Sequence, residues 1–428
     1  MKLRNVRWYI AALLFLSSVI NYIDRQTLSV VAPIITKELH LSPVQYSNIL
    51  NAFLIAYTAM YLGSGFLVDR WGTRFSLAAF MVFWSISNML HGFARSALQL
   101  GIFRALLGMG EPGNFMAGFR AISEWYPATE KGFVNGLLNA GSAVGAIIAA
   151  PLVVWLTVHF GWQYAFVATG ALGFVWLIFW LILYYLPEKH PMITPEELAL
   201  VRKGVQAANP EAAKTSLMTL LRAPQTRGLL LARFISDPVW WFYLFWLPKY
   251  LVEQRHFSMV QMGMLAWLPY LTADLGSFGG GLLSGWLVRR GWEPLRARKV
   301  VLLPFAMVMP LSYFIPDAPA AGAMAIISLV TFAHMGWKTN LMTITNDIYP
   351  ARVVGSVSGV IAFGSGLGGT LFTSLTGQMV QHYSYTVVFV IMCFLHPISW
   401  VIVRLLVREP LPLPPAAEDP IYATPRPA

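Results

Sequence analysis

The 428-residue chain is poor in charge: Asp, Glu, Lys and Arg make up 11% of it, against 57% hydrophobic residues. Soluble domains carry roughly 25% charged residues, so an ordinary water-soluble fold is excluded. A mean hydropathy of +0.59 agrees. Cysteine is nearly missing too. The single Cys393 rules out an intrachain disulfide and a cysteine-based metal site, and within its apolar run it reads as a small core hydrophobe. No H-E-x-x-H or G-x-S-x-G motif occurs, which argues against an intramembrane enzyme, and no cofactor or metal is expected. The first apolar run lacks a small-residue cleavage site and carries Asp24 and Arg25, so it is a helix and not a signal peptide.

What the chain does contain is apolar runs of bilayer length. About 20 such residues cross a hydrocarbon core of roughly 30 Å. Twelve spans are predicted, at 8–35, 46–68, 75–95, 98–124, 132–158, 162–186, 227–252, 259–288, 299–316, 320–347, 352–380 and 384–407. In lipid every backbone polar group needs an internal partner, and these runs are too long and too uniformly apolar for barrel strands. The expectation is an all-α membrane protein.

The cations orient it. An even number of spans puts both termini on one side, and that side takes 22 of the 30 Lys and Arg residues. The opposite loops take Lys37, Arg95, Lys249 and Arg255, and Arg25, Arg104, Arg233 and Lys338 remain in the membrane. Both termini are therefore predicted to be cytoplasmic. The net charge of +11 is scattered over short loops and forms no stripe, so it suits lipid headgroups and not nucleic acid.

The sequence repeats. Tyr126, Pro127, Ala128, Gly132, Gly136, Gly141, Ser142 and Gly145 recur at an offset of 223 as Tyr349, Pro350, Ala351, Gly355, Gly359, Gly364, Ser365 and Gly368. Ser42, Val44, Gln45, Gly63, Gly65 and Leu67 recur at an offset of 216 as Ser258, Val260, Gln261, Gly279, Gly281 and Leu283. Two pseudo-symmetric six-helix halves follow, at 1–186 and 227–408, joined by a proline-bearing linker at 187–226 and followed by a proline-rich tail at 409–428 that reads as disordered. A site at the midplane between repeated halves is the architecture of alternating-access carriers; a single-chain channel is the weaker alternative. By the same offset Glu124 aligns with Asp347, which suggests end-capping or interdomain charges, and Glu111 aligns with His334. Gly364, Gly366 and Gly369 spell G-x-G-x-x-G, but no strand precedes them, so close helix packing is the better reading than a dinucleotide site.

Charges at membrane depth mark ion or substrate pathways by default. Arg104, Gly108 and Glu111 fall on one face of the fourth span, and Gly108 is expected to leave a gap where a ligand carboxylate meets the planar fork of Arg104. Pro112 is expected to loosen that helix. Asp24 and Arg25 point about 100° apart and need partners elsewhere: Glu111 is the candidate for Arg25, and Arg104 for Asp24. An anion that draws an arginine away frees a carboxylate to take up a proton. In the second half, His334, Lys338 and Asn340 of the tenth span and Trp240, Trp241 and Tyr243 of the seventh suit a hydroxyl-rich ligand, and Tyr22 and Tyr57 offer further contacts. Packing is an equal alternative for each aromatic. Arg233, one turn from Asp237, is expected to satisfy it.

Gly65, Asp69, Arg70, Gly72 and Arg74 spell G-x-x-x-D-R-x-G-x-R between the second and third spans. This resembles the signature loop of the major facilitator superfamily, and the resemblance implies that Asp69, Arg70 and Arg74 take part in gating by latching the halves. Gly285 stands where Asp69 has its counterpart, so the second latch should be weaker. Asn21-Tyr22-Ile23-Asp24-Arg25, with Arg104 and Glu111, is similar to the anion:cation symporter branch, and the segment from Arg233 to Leu251 resembles the hexuronate transporter group. These resemblances imply a major facilitator fold in a bacterial inner membrane, acting as a monomer that imports a sugar acid with protons. They assign Asp24 and Glu111 to proton coupling and Arg25 and Arg104 to the anion, without saying which carboxylate carries the transported proton. An exchanger, a carrier of an aldonate, tartrate or aromatic acid, and a transporter-like nutrient sensor remain as alternatives.

Overall fold

The computed structural model describes residues 5–205, 222–349 and 351–408. Lys2, Arg4, Pro210 and Lys214, Pro350 of the repeat, and the expected tail 409–428 lie outside the described residues.

Among the described residues helices dominate, and they form twelve spans. Span 1 is Val6–Glu38, span 2 Pro43–Trp71, span 3 Thr73–His91, span 5 Ala128–Phe160 and span 6 Trp162–Leu183. Span 4 is Ala97–Gly110 continued by Pro112–Trp125. In the second half span 7 is Pro224–Ser236 continued by Pro238–Glu253, and span 8 is Met259–Leu265 continued by Leu268–Arg289. Span 9 is Pro294–Val308 with the 3-10 turns Met309–Phe314, span 10 Ala320–Ile348, span 11 Ala351–His382 and span 12 Tyr385–Leu406. Among the described residues seven helices are individually long and apolar enough to cross a bilayer, and span 2, bent by 50°, makes an eighth. Spans 4 and 7 fall short because each is broken into two shorter helices, whereas span 3 and the main piece of span 8 are long enough but less apolar, span 3 with Ser85, Ser87, Asn88 and His91 near its end.

The breaks in spans 4 and 7 have one cause. Glu111 and Asp237 each precede a proline, whose ring removes an N–H from the helix ladder. The expected loosening at Pro112 is thus a break, and an ionisable side chain sits at it in both halves. Discontinuous helices at midplane depth are tolerated where protein covers the freed backbone.

The repeat is visible in the local chemistry. Ser42 with Gln45 opens span 2 as a reciprocal capping box, and Ser258 with Gln261 opens span 8 in the same way. Gly141 and Gly145 bring span 5 onto span 1, where a Cβ would lie 2.4 and 2.5 Å from the carbonyls of Phe15 and Val19. Gly364 and Gly368 bring span 11 onto span 7, against the carbonyls of Leu230 and Phe234 at 3.0 and 2.0 Å. Gly366 and Gly369 likewise press on Thr58 and Trp241, so the G-x-G-x-x-G run is a packing stripe inside a helix. In the linker Pro195–Val205 is a helix, and its Glu197 accepts the backbone N–H groups of Val6 and Arg7 at 3.0 Å each.

An even span count puts both termini at one face of the bundle, the terminal face. Polar contacts between the halves gather at the opposite, far face. Tyr46 donates its hydroxyl to the Phe245 carbonyl at 2.9 Å, Asn51 donates to Ser374 at 2.6 Å, and the Val44 N–H donates to Gln381 at 3.3 Å. Lys249, expected in a loop, is buried in span 7, where it binds Glu253 and reaches Thr36 of span 1 at 3.5 Å. Toward the terminal face the ladder between spans 2 and 11 stops at Thr58 and Gly366, and a Cβ at Gly65 or Gly359 would meet nothing within 4 Å. Among the described residues the polar contacts between the halves thus lie at the far face, and the packing of spans 2 and 11 loosens toward the terminal face.

Candidate functional site

Span 1 carries the polar run Asn21, Asp24, Arg25, Gln26 and Thr27, all buried. The 100° step per residue sends these side chains to different neighbours. Arg25 faces span 4. Its Nε donates to Glu111 Oε2 at 2.7 Å, and its Nη2 lies 2.6 Å from the same oxygen. Tyr22 and Tyr57 flank the guanidinium at 4.5 and 4.8 Å, with Phe53 at 5.4 Å. Asn21 accepts from Arg25 at 3.3 Å and completes the cradle. A desolvated cation between aromatic faces gains up to about 2 kcal/mol from each good contact, and removal of one partner of a buried ion pair costs roughly 3–5 kcal/mol. The expected pairing of Arg25 with Glu111 is therefore present and strongly held.

The other expected pairing is not. Asp24 turns toward spans 3 and 6, where Asn88 donates to its Oδ1 at 2.7 Å and also to Thr169 at 2.8 Å. Arg104 instead donates Nη2 to the backbone carbonyl of Arg25 at 3.0 Å. Asp24 and Arg25 project about 100° apart on span 1, toward different helices, and Arg104 meets the backbone of Arg25 and not Asp24. The gap expected at Gly108 is absent as well: a Cβ there would lie 2.4 Å from the Phe53 carbonyl, so span 2 occupies the space. Gly108 allows the close approach of spans 2 and 4 that sets Phe53 against both arginines.

Several buried polar atoms at this site have no protein partner. Among the described residues they are Glu111 Oε1 and Nε and Nη1 of Arg104, whereas Asp24 has Thr169 and Trp84 beside it. Buried polar atoms are nearly always satisfied, and the set here is one carboxylate oxygen beside two guanidinium donors. That is a donor and acceptor set for an oxyanion and for protons.

The second half faces this cluster with different chemistry. Arg233 Nε pairs with Asp237 Oδ2 at 2.5 Å, the expected pairing. Trp240 stacks parallel on His334 at 5.9 Å, and His334 Nδ1 lies 3.1 Å from Nε2 of His396 in span 12. Asn340 donates to the carbonyls of Gly280 and Gly336, at 3.0 and 2.9 Å, and so staples span 8 to span 10. Tyr243 is fully buried and Trp241 packs on Gly369. Lys338 is half-buried.

Asp69 and Arg74 bind within their own half. Arg120 donates to Asp69 at 2.9 Å, and Arg74 donates to the Leu181 carbonyl at 2.6 Å while lying over Tyr185; Arg70 is exposed. Glu124 accepts from Arg120, Thr73 and Tyr184, and Asp347 from Arg298, so both serve their own halves and neither bridges the two. Asn88, Thr169 and His396 did not stand out in the sequence. Asn88 and His396 were detectable in principle as polar side chains in apolar spans.

The model of the Major Facilitator Superfamily matches residues 14–373. The hexuronate transporter of Escherichia coli (strain K12) is 33% identical over 396 residues, 91% of each chain. The galacturonate transporter of Dickeya chrysanthemi is 34% identical over 66% of this chain and 82% of its own length. Among solved structures, a bacterial homolog of the human lysosomal transporter Spinster, in an inward-facing and occupied conformation, aligns with TM-score 0.73 over 95% of both chains at 18% identity, a likeness of fold. With twelve spans in two related halves, the signature loop and the family match in agreement, this multi-pass membrane protein belongs to the Major Facilitator Superfamily.

Proposed function

We propose that the chain is a proton-coupled symporter that imports a sugar acid, foremost a hexuronate, across the bacterial inner membrane. The observation that carries the reading is the juxtaposition of a closed ion pair, Arg25 with Glu111, and a cation with free donors, Arg104, in one buried pocket. The relatives that transport hexuronate and galacturonate supply the substrate class. The substrate carboxylate binds Arg104 and competes for Arg25. Glu111, freed of its partner, takes up a proton, and so does Asp24, so the loaded site is closer to neutral when the halves rock. Tyr22, Tyr57, Trp240 and Lys338 contact the hydroxyl-bearing body, and His334 and Asn340 support them from behind.

With cytoplasmic termini, the described arrangement is inward-facing: the far-face contacts exclude the outside, and the latch loop of Asp69, Arg70 and Arg74 holds the halves together in the opposite state. The protein acts as a monomer in the bilayer. Purified protein in proteoliposomes is expected to accumulate labelled glucuronate or galacturonate under an inward proton gradient. Uptake at full rate without the gradient would overturn the coupling, and failure with every sugar acid would overturn the substrate class.

A further inference from the structure

Asp274 has no role in this scheme, and Lys338, placed against the substrate body, has no close polar partner among the described residues. Asp274 of span 8 and Lys338 of span 10 make neither a hydrogen bond nor a close ion pair with each other or with any other group among the described residues, and they sense neighbouring charges only through space. Two other intramembrane cations close on a neighbouring carboxylate, Arg233 on Asp237 and Arg25 on Glu111. An unsatisfied charge at this depth is costly and marks a functional position.

Their placement is defined by one ring. Tyr270 and Asp274 are one turn apart on span 8, and His334 and Lys338 one turn apart on span 10, so each pair shares a helix face. Trp240 lies 6.0 Å from the Tyr270 ring, edge-on, and 5.9 Å from His334, face to face. Both spans run from the far face to the terminal face, so Asp274 and Lys338 stand beside each other one turn nearer the opening. At that level the hydroxyls of Ser277 and Thr339 meet at 2.6 Å, and Gly280 packs so tightly that a Cβ would lie 2.7 Å from Gly336 Cα. Both side chains are half-buried. Lys338 feels Arg233, Asp237 and Asp274 from its own half and Arg25 from the other, so it looks across to the anion pocket.

We propose that Asp274 and Lys338 form a charge-neutral second pole of the site, which binds the hydroxyl-rich end of a monocarboxylate and rejects a second carboxylate. The inference rests on the sugar-acid reading and adds the class within it. With the carboxylate held at Arg25 and Arg104, the far end of a uronate presents hydroxyls. Asp274 accepts from them and Lys338 donates to them, so both charges gain partners on binding. An aldarate of the same length brings a carboxylate instead. Lys338 attracts it, but Asp274 repels it at close range where water screens little. A repulsive element of this kind sets specificity by penalising the competitor.

The test is competition against labelled glucuronate uptake by the full-length protein in proteoliposomes, with unlabelled glucuronate or galactarate as competitor. Galactarate is expected to inhibit the wild type at least tenfold more weakly than glucuronate. Asp274→Asn should narrow that ratio at least fivefold, and Lys338→Gln should widen it, because Asp274 is then uncompensated. Each ratio is taken within one protein, so the amount of folded material cancels. An unchanged ratio in Asp274→Asn, with glucuronate still inhibiting, overturns the proposal and leaves the transport reading intact. If Asp274→Asn does not fold, the Lys338→Gln ratio decides alone, and no change overturns the proposal. Inhibition of the wild type by neither compound overturns the sugar-acid reading and the proposal with it.

Discussion

Arg25 directs two of its nitrogens, at 2.7 and 2.6 Å, to a single carboxylate oxygen of Glu111, and the other oxygen of that carboxylate accepts nothing. A planar fork that converges on one oxygen is a strong but incomplete pairing, because a bidentate arrangement would engage both. The unengaged edge of Glu111 and the two free donors of Arg104 lie in the same pocket. An arriving carboxylate can therefore exchange partners with the pair without first stripping either group bare.

Arginine geometry should matter more than charge at both positions. Lysine at position 25 keeps the charge but offers a point ammonium between Tyr22 and Tyr57 in place of a stacking plane. Arg25→Lys is expected to weaken glucuronate competition by about tenfold or more. Arg104→Gln removes a charge-assisted contact of roughly 1.5–3 kcal/mol, an affinity loss of about 10- to 150-fold. Inhibition constants in proteoliposomes check both, with a thermal-unfolding profile to show that the variants fold.

The far-face closure should be reversible in a working carrier. Asn51 and Ser374 touch at 2.6 Å across the halves, so Asn51→Cys with Ser374→Cys, in a Cys393→Ser background, is expected to cross-link under mild oxidant. Uptake should stop on oxidation and return on reduction. Cross-linking without any loss of uptake would mean that these two spans do not separate during transport.

The linker helix carries a stability prediction. Glu197 accepts two backbone N–H groups at the start of span 1 and also pairs with Arg7 at 3.2 Å. A carboxylate at a helix N-terminus meets the positive end of the macrodipole. Glu197→Gln should lower stability by about 1–2 kcal/mol, read as a lower thermal midpoint in detergent, while competition by glucuronate is unchanged.

The twelve spans, the two halves and the Arg25–Glu111 pair were legible in the sequence for a simple reason. Hydropathy and repeat offset report on length and symmetry, and scarce charges at membrane depth have few partners to choose from. The place of Asp24 was not legible. A helix step fixes the angle between Asp24 and Arg25 but not which helix lies in each direction, and packing gave Asp24 to Asn88 instead of Arg104. Gly108 misled for the same reason: a missing side chain signals close approach without saying whether a ligand or a backbone fills the space, and here it is Phe53. His396 became visible once span 12 brought it to His334.

The central claim is that intramembrane carboxylates of the first half couple the sugar acid to protons, and Asp24→Asn tests it most directly. Asparagine keeps the size and the contact with Asn88 but cannot bind and release a proton. The measurement pairs two assays on one reconstituted sample, glucuronate uptake under an inward proton gradient and glucuronate counterflow without one. The account predicts that gradient-driven accumulation falls to background in Asp24→Asn while counterflow persists. Accumulation at the wild-type rate in that variant would contradict it.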